Sequence, residues 1–423
     1  MCVRRALLWL LILLFASASH AQNVSSRGNE IEVFHWWVSG GERASIDVLR
    51  RYIERQGIAW RERPVAGSGT ARYGDVLAQR VAAGRAPTAA QNIGFDIHAW
   101  AEKGLLENLD DIAIAQEWDM LVPNGIQFLS KYKGHWVAAP INTHSTNWLW
   151  LNKAQFDRIG GTKPDSWADL LVLLDKAKAA GIVPLAIGRD AWEHTLLFES
   201  VAAGLGGVEF YRKAFIELRP DALTPELLLE IFQRMSLLRT YLDPEFARRS
   251  WDQSTTLVRK GQALLQVQGS WVNGEFVRLG MQPERDYLCF HFPDTQGMFL
   301  FNSDQFIFFK NGIGSSKARQ TMASTLMSID FQRDLNLATG AAPARVDVPK
   351  DAFNQCGKQA ISDMRSANMR RTLMGSIAMG NANPPLVKTA IYKVVSDHFY
   401  GRISDAQAVQ LLTQAIRAAG AKS

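Results

Sequence analysis

Strand-like and helix-like segments take turns along this chain, and that alternation restricts its fold more than any other feature. Ile31–Trp37 is β-branched and aromatic, the pattern of a short strand. From Arg43 onward Ile46, Leu49, Tyr52 and Ile53 recur at helical spacing, and Gly57 supplies a stop. "IAWRERPV" predicts a second strand and "GDVLAQRVAAGRAP" a second helix ending at Gly84 and Pro87. "AAQNIGFDIHAWAEKGLLENL" predicts a short strand, a turn and a helix. A βαβα order implies an α/β fold with a mostly parallel sheet and helices on its faces.

The pattern continues mixed. "HWVAAPINTHSTNWLWLN" is strand-rich and interrupted by Pro140. A helix follows in "DSWADLLVLLDKAKAAG", with Asp165 or Ser166 as N-cap and Gly181 as stop. "VPLAIG", "QALLQVQGSW" and Asp286–Lys310 predict strands, while Ala191–Ala203 and Pro225–Tyr241 predict helices. Irregular loops are expected at "ATGAAPARVDVP" and "MGNANPP". The length of 423 residues allows two cores. Without a repeat or a low-complexity linker, two lobes must be interleaved, with the chain crossing between them several times.

The first residues, "MCVRRALLWLLILLFASASHA", have Arg4 and Arg5, an apolar run from Ala6 to about Ala16, and a small-x-small site at Ser19-His20-Ala21. This is the pattern of a secretory leader, residues 1–21, cleaved after Ala21 to leave Gln22 first. Loss of two arginines takes the formal net charge from +6 to +4. The basic residues are scattered, which argues against nucleic acid as a partner. Export leaves Cys289 and Cys356. In an oxidising compartment two remaining thiols pair more often than not, so one disulfide is expected, with two separate buried thiols as the alternative.

No phosphate-binding loop, nucleophile elbow, dinucleotide fingerprint or zinc-like Cys/His spacing occurs, so no cofactor and no metal are expected. Two distant carboxylates, such as Glu42 and Asp304, could still serve a secreted carbohydrate-active enzyme. Thirteen tryptophans exceed what folding needs. Neighbouring residues on a strand face opposite ways, so Trp36 and Trp37 in "FHWWVSGGE" cannot both enter one core from the same strand. Indole faces and planar carboxylates suit a pyranose, whose ring stacks and whose hydroxyls donate.

The segments "EVFHWWVSGGE", "RVAAGRAPTAAQ", "INTHSTNWLWLNK", "TKPDSWADLL", "QGSWVNGEF", "DYLCFHFPDTQGMFLFNSDQFIFF" and "FNQCGKQAISDM" carry a resemblance across almost the whole mature chain. It resembles the periplasmic glucose- and sugar-binding proteins of ABC importers, within the type-1 extracellular solute-binding proteins. The resemblance implies two α/β lobes joined by hinge strands that close on a sugar: an N-lobe of 22–141 plus 300–342 and a C-lobe of 142–299 plus 343–423. It implies a Cys289–Cys356 disulfide. It places Trp36 and Trp37 as aromatic sugar contacts, Glu42 and Asp304 as hydroxyl acceptors, Trp271 as an aromatic wall of the other lobe and His144 at the hinge. The expected partners are a carbohydrate and the membrane subunits of an ABC permease, and the expected form is a periplasmic monomer with no enzymatic activity. A sensor role for a chemoreceptor is the remaining alternative.

Asn92, Thr339 and Met379 are also expected to bind the ligand, and there this chain departs from the resemblance: glucose binders carry a lysine near Ile93, in "AQNIGF", a second lysine at Thr339 and a histidine at Met379. Asp is common where Ser270 stands. Each lost hydrogen bond costs about 0.5–1.5 kcal/mol, which weakens the case for glucose and favours a larger glycan, a less hydroxylated sugar or a sugar derivative.

Overall fold

The computed structural model describes residues 29–67 and 71–420. The expected leader and its cleavage site lie outside them. Among the described residues the strands are β1 (Glu30–His35), β2 (Ala59–Pro64), β3 (Ala89–Ile93), β4 (Lys131–Tyr132), β5 (His135–Trp136), β6 (Ala138–Pro140), β7 (His144–Ser145), β8 (Trp148–Asn152), β9 (Val183–Ala186), β10 (Ala263–Gln268), β11 (Tyr287–His291), β12 (Phe299–Asn302), β13 (Asp304–Phe308) and β14 (Leu373–Gly375).

Two sheets anchor two lobes. One has the order β2-β1-β3-β13-β6 and the other β11-β8-β10-β9. β8 and β10 are buried throughout and β1 along all but its first residue, because helices cover both sheet faces. That is why β8 reads as an apolar run up to Asn152, while β1 and β10 also bury Glu32, His35, Gln266 and Gln268. β1 lies parallel to β2 and β3, as the βαβα order requires. β13 runs antiparallel to both β3 and β6, and β8 antiparallel to β10 and β11. The sheets are therefore mixed rather than mostly parallel: β6 and β13 adjoin the crossings between the sheets instead of a strand–helix–strand unit.

β7 follows β6, and β12 precedes β13. These two short strands pair with each other, Phe301 opposite Ser145 and Asn302 opposite His144, and with β14 they make a third sheet. The two crossings between the lobes thus run side by side.

Local chemistry sets the helix starts. Gly40–Arg55 opens on a capping box: the Ser39 hydroxyl accepts from the Glu42 backbone N–H, and the Glu42 carboxylate accepts from that of Ser39. Ser166, not Asp165, caps Trp167–Ala179, with Asp169 as its reciprocal partner. The helix from Ala191 runs on to Tyr211, past the expected end at Ala203, across a non-helical Gly207.

Cys289 on β11 is bonded to Cys356 in the first turn of the helix Gln355–Arg370, closing a sequence separation of 67 residues. Replacing both cysteines by serine should lower unfolding stability by about 2–4 kcal/mol. Urea unfolding under non-reducing conditions checks this, and an unchanged midpoint would show that the cross-link constrains little.

Candidate functional site

β1 ends at His35, and that ending answers the tryptophan question. His35 is fully buried, and burial lowers its pKa to about 4, so it is neutral. Trp36 and Trp37 lie beyond the strand, in the turn before the helix Gly40–Arg55, where strand alternation no longer applies. Both line one cleft, in which the side chains leave little room in this conformation.

Three more indoles face it: Trp192, Trp251 and Trp271. Trp192 and Trp251 sit in the first turns of the helices Ala191–Tyr211 and Trp251–Arg259, and Trp271 precedes Val272–Val277. Trp271 meets His144 edge-on at 5.3 Å and Trp192 at 6.0 Å between ring centres. Trp36 is fixed edge-on to Tyr73 at 4.9 Å. Sequence reasoning missed Trp192 and Trp251. The available signal was a tryptophan immediately after a helix-start residue, as in Ser250-Trp251.

Asp304 opens β13 and is 3% exposed. Its Oδ1 accepts from Gln91 Nε2 (2.7 Å) and its Oδ2 from Asn142 Nδ2 (2.8 Å), while its own N–H donates to Asn142 Oδ1 (2.8 Å). His144 Nε2 lies 3.4 Å from Oδ2, and His144 Nδ1 is 2.9 Å from Ser270 Oγ. Gln91 also accepts from the Trp36 N–H at 3.3 Å. A continuous chain of hydrogen bonds therefore joins the tryptophan turn to the Asp304 carboxylate.

Glu42 lines the cleft while capping its helix. Oε2 accepts from the N–H groups of Val38 (2.9 Å) and Ser39 (2.8 Å). Protein surrounds the carboxyl on most sides although the residue keeps an accessible edge. Burial raises its pKa to about 7 despite those bonds, with the Glu275 charge adding to the rise. The Ser-x-x-Glu spacing in the sequence was the cue to this second role.

Thr339, which closes the helix Ile329–Thr339 although the sequence marks an irregular segment there, and Met379, in the irregular segment expected at "MGNANPP", also line the cleft, as do Asn302, Ser45 and Gly41. Asn92 does not line this cleft. On β3 adjacent side chains point oppositely, and Gln91 is the one directed at Asp304; Asn92 faces a neighbouring pocket that shares the Trp36 wall. The cleft also brings the lobes into backbone contact. Gly41 N–H donates to Glu275 Oε1 at 2.8 Å, and a Cβ on Gly274 would stand 2.7 Å from the Ala338 carbonyl oxygen, so only glycine fits there. Among the described residues no His, Cys, Asp or Glu cluster is disposed to hold a metal ion.

Fold and comparison together define a two-lobed solute-binding protein. The chain belongs to the family of bacterial extracellular solute-binding proteins, whose pattern it matches over residues 64–293. A relative in Brucella melitensis biotype 1, named a probable sugar-binding periplasmic protein, is 46% identical over 406 residues covering 96% of each chain. One from Rhizobium meliloti with the same name is 46% identical, covering 94% of this chain and 96% of its own. Among solved structures, a chitin oligosaccharide binding protein superposes with a TM-score of 0.77 at 18% identity, over 93% of this chain and 99% of its own. A Thermotoga lettingae solute-binding protein bound to α-D-tagatose gives 0.73 at 17%, over 93% and 100%. The family comprises receptors, which sets aside the hydrolase reading of Glu42 and Asp304.

Beside Trp192, Glu193 is buried with Oε2 accepting from Gly188 N–H (2.9 Å) and Oε1 unpartnered. Burial raises its pKa to about 8, against about 4.3 for a free glutamate. Between those values the folded protein holds a proton that the unfolded chain has lost, so this group makes stability fall as pH rises, until Glu193 itself ionises near 8. Glu193→Gln removes the ionisation. The loss of urea stability between pH 5 and pH 9 should shrink in this variant, and an unaltered pH slope would show that Glu193 ionises normally.

Proposed function

We propose that this protein is an exported receptor that closes its two lobes over a carbohydrate and presents it to the membrane subunits of an ABC importer. The observation that carries the reading is convergence: five indoles and two carboxylates, drawn from distant parts of the chain, face one cleft. An indole covers the apolar face of a pyranose, and a carboxylate oxygen accepts its equatorial hydroxyls. The names of the relatives support the same class of ligand.

The lobes are residues 22–141 with 300–342 and residues 142–299 with 343–423. The membership of the two large sheets supports this division, and the paired β7 and β12 sit where a hinge is needed. A ligand touching Trp36, Trp37 and Asp304 on one side and Trp271 on the other stabilises the closed state, because only closure makes all those contacts at once. Trp36, Trp37, Glu42, His144, Trp271, Asp304, Thr339 and Met379 form its surroundings. The leader is removed after Ala21, and the receptor acts in the periplasm as a monomer.

A thermal-shift screen across mono-, di- and derivatised sugars tests the reading, since a ligand bound only by the folded state raises Tm. At least one carbohydrate should raise it and quench tryptophan fluorescence. Trp271→Ala should weaken that sugar about tenfold or more, the loss of one stacked aromatic face. A full screen without a shift would overturn the carbohydrate assignment.

A further inference from the structure

The charge on the walls of the cleft is lopsided. Glu42 and Asp304 both line it, and no lysine or arginine side chain does. A guanidinium close by, that of Arg278, stands over Gly40 and is paired with Glu275 at 3.0 Å. His144 is the titratable group that faces Asp304, and both of its ring nitrogens already meet Ser270 or Asn142. The positive ends of the helices Gly40–Arg55 and Trp251–Arg259 are taken up by their own capping boxes.

Asp304 has an amide donor on each oxygen. Glu42 differs. Both of its backbone bonds fall on Oε2, and Oε1 has no partner among the described residues. Glu42 thus lines, with an oxygen that no protein donor holds, a cleft that five indoles also line, and the indole is the side chain whose face attracts cations most strongly. A neutral sugar offers this oxygen only a hydroxyl donor, whereas an ammonium group offers a charge-assisted hydrogen bond and indole contact together.

We propose that the carbohydrate is an amino sugar, bound as its ammonium form with the nitrogen directed at Glu42 Oε1 between the indole faces. The proposal rests on the carbohydrate reading above and specifies its ligand. Burial that holds the Glu42 carboxyl near pH 7 is consistent with it, because an adjoining cation would draw off that proton.

Isothermal titration at pH 6.5 tests it with three series: glucosamine, galactosamine and mannosamine; the parent hexoses; and the N-acetyl derivatives, which keep the ring but lose the charge. At least one amino sugar should bind tenfold or more tighter than both its parent and its N-acetyl form. In Glu42→Gln that ratio should fall toward one, with circular dichroism confirming the fold. Should the variant fail to fold, the comparison of free amine with N-acetyl derivative on the native protein still decides. Equal or tighter binding of neutral sugars overturns the amino-sugar assignment and leaves the carbohydrate receptor standing. No binding by any sugar, charged or neutral, in this series and in the wider thermal-shift screen, overturns both.

Discussion

Asp304 is a buried carboxyl group, and a buried polar group obliges the structure around it to supply hydrogen-bond partners. Two amides meet that demand, one from β3 and one from the segment that leaves β6 for the second lobe. Asn142 answers twice, donating to the carboxylate and accepting from the Asp304 backbone, so the outgoing and returning crossings are locked in register at the point where they enter the cleft. Gln91 carries the constraint onward to the backbone of Trp36. Satisfying one carboxylate therefore fixes both the hinge entry and the aromatic turn. Networks of this kind are rigid when complete and costly when one member is missing.

The close approach of the lobes rests on absent side chains. Gly41 and Gly274 let the helix Gly40–Arg55, the helix Val272–Val277 and the end of the helix Ile329–Thr339 meet backbone to backbone. Glu275 then reaches the Gly41 amide across the contact. Directional bonds and steric fit act together here, so the walls of the cleft are set by main-chain positions and the indoles fill what those positions leave open.

Much of this was legible beforehand, for physical reasons that can be named. The strands betray themselves through β-branched, aromatic and leucine-rich stretches such as β8, and the helices through spacing and caps. Trp36, Trp37, Glu42, His144, Trp271, Asp304, Thr339 and Met379 all face the cleft. Asn92 does not, because telling it from Gln91 needs the phase of a single strand, and apolar content does not reveal phase in a strand buried on both faces. Trp192 and Trp251 escaped because each starts a helix far along the chain, and only tertiary packing brings those starts together. The antiparallel placement of β6 and β13 was hidden likewise, since local propensity carries no information about strand direction.

Glu42 holds the start of its helix with one carboxylate oxygen and also lines the cleft. A substitution that retunes ligand choice at this position also loosens the fold, so selection on recognition there is tied to selection on folding. Met379 makes no side-chain hydrogen bond among the described residues and lines the wall. As lineages of this receptor diverge toward new nutrients, variation should therefore accumulate at position 379 well before it reaches position 42.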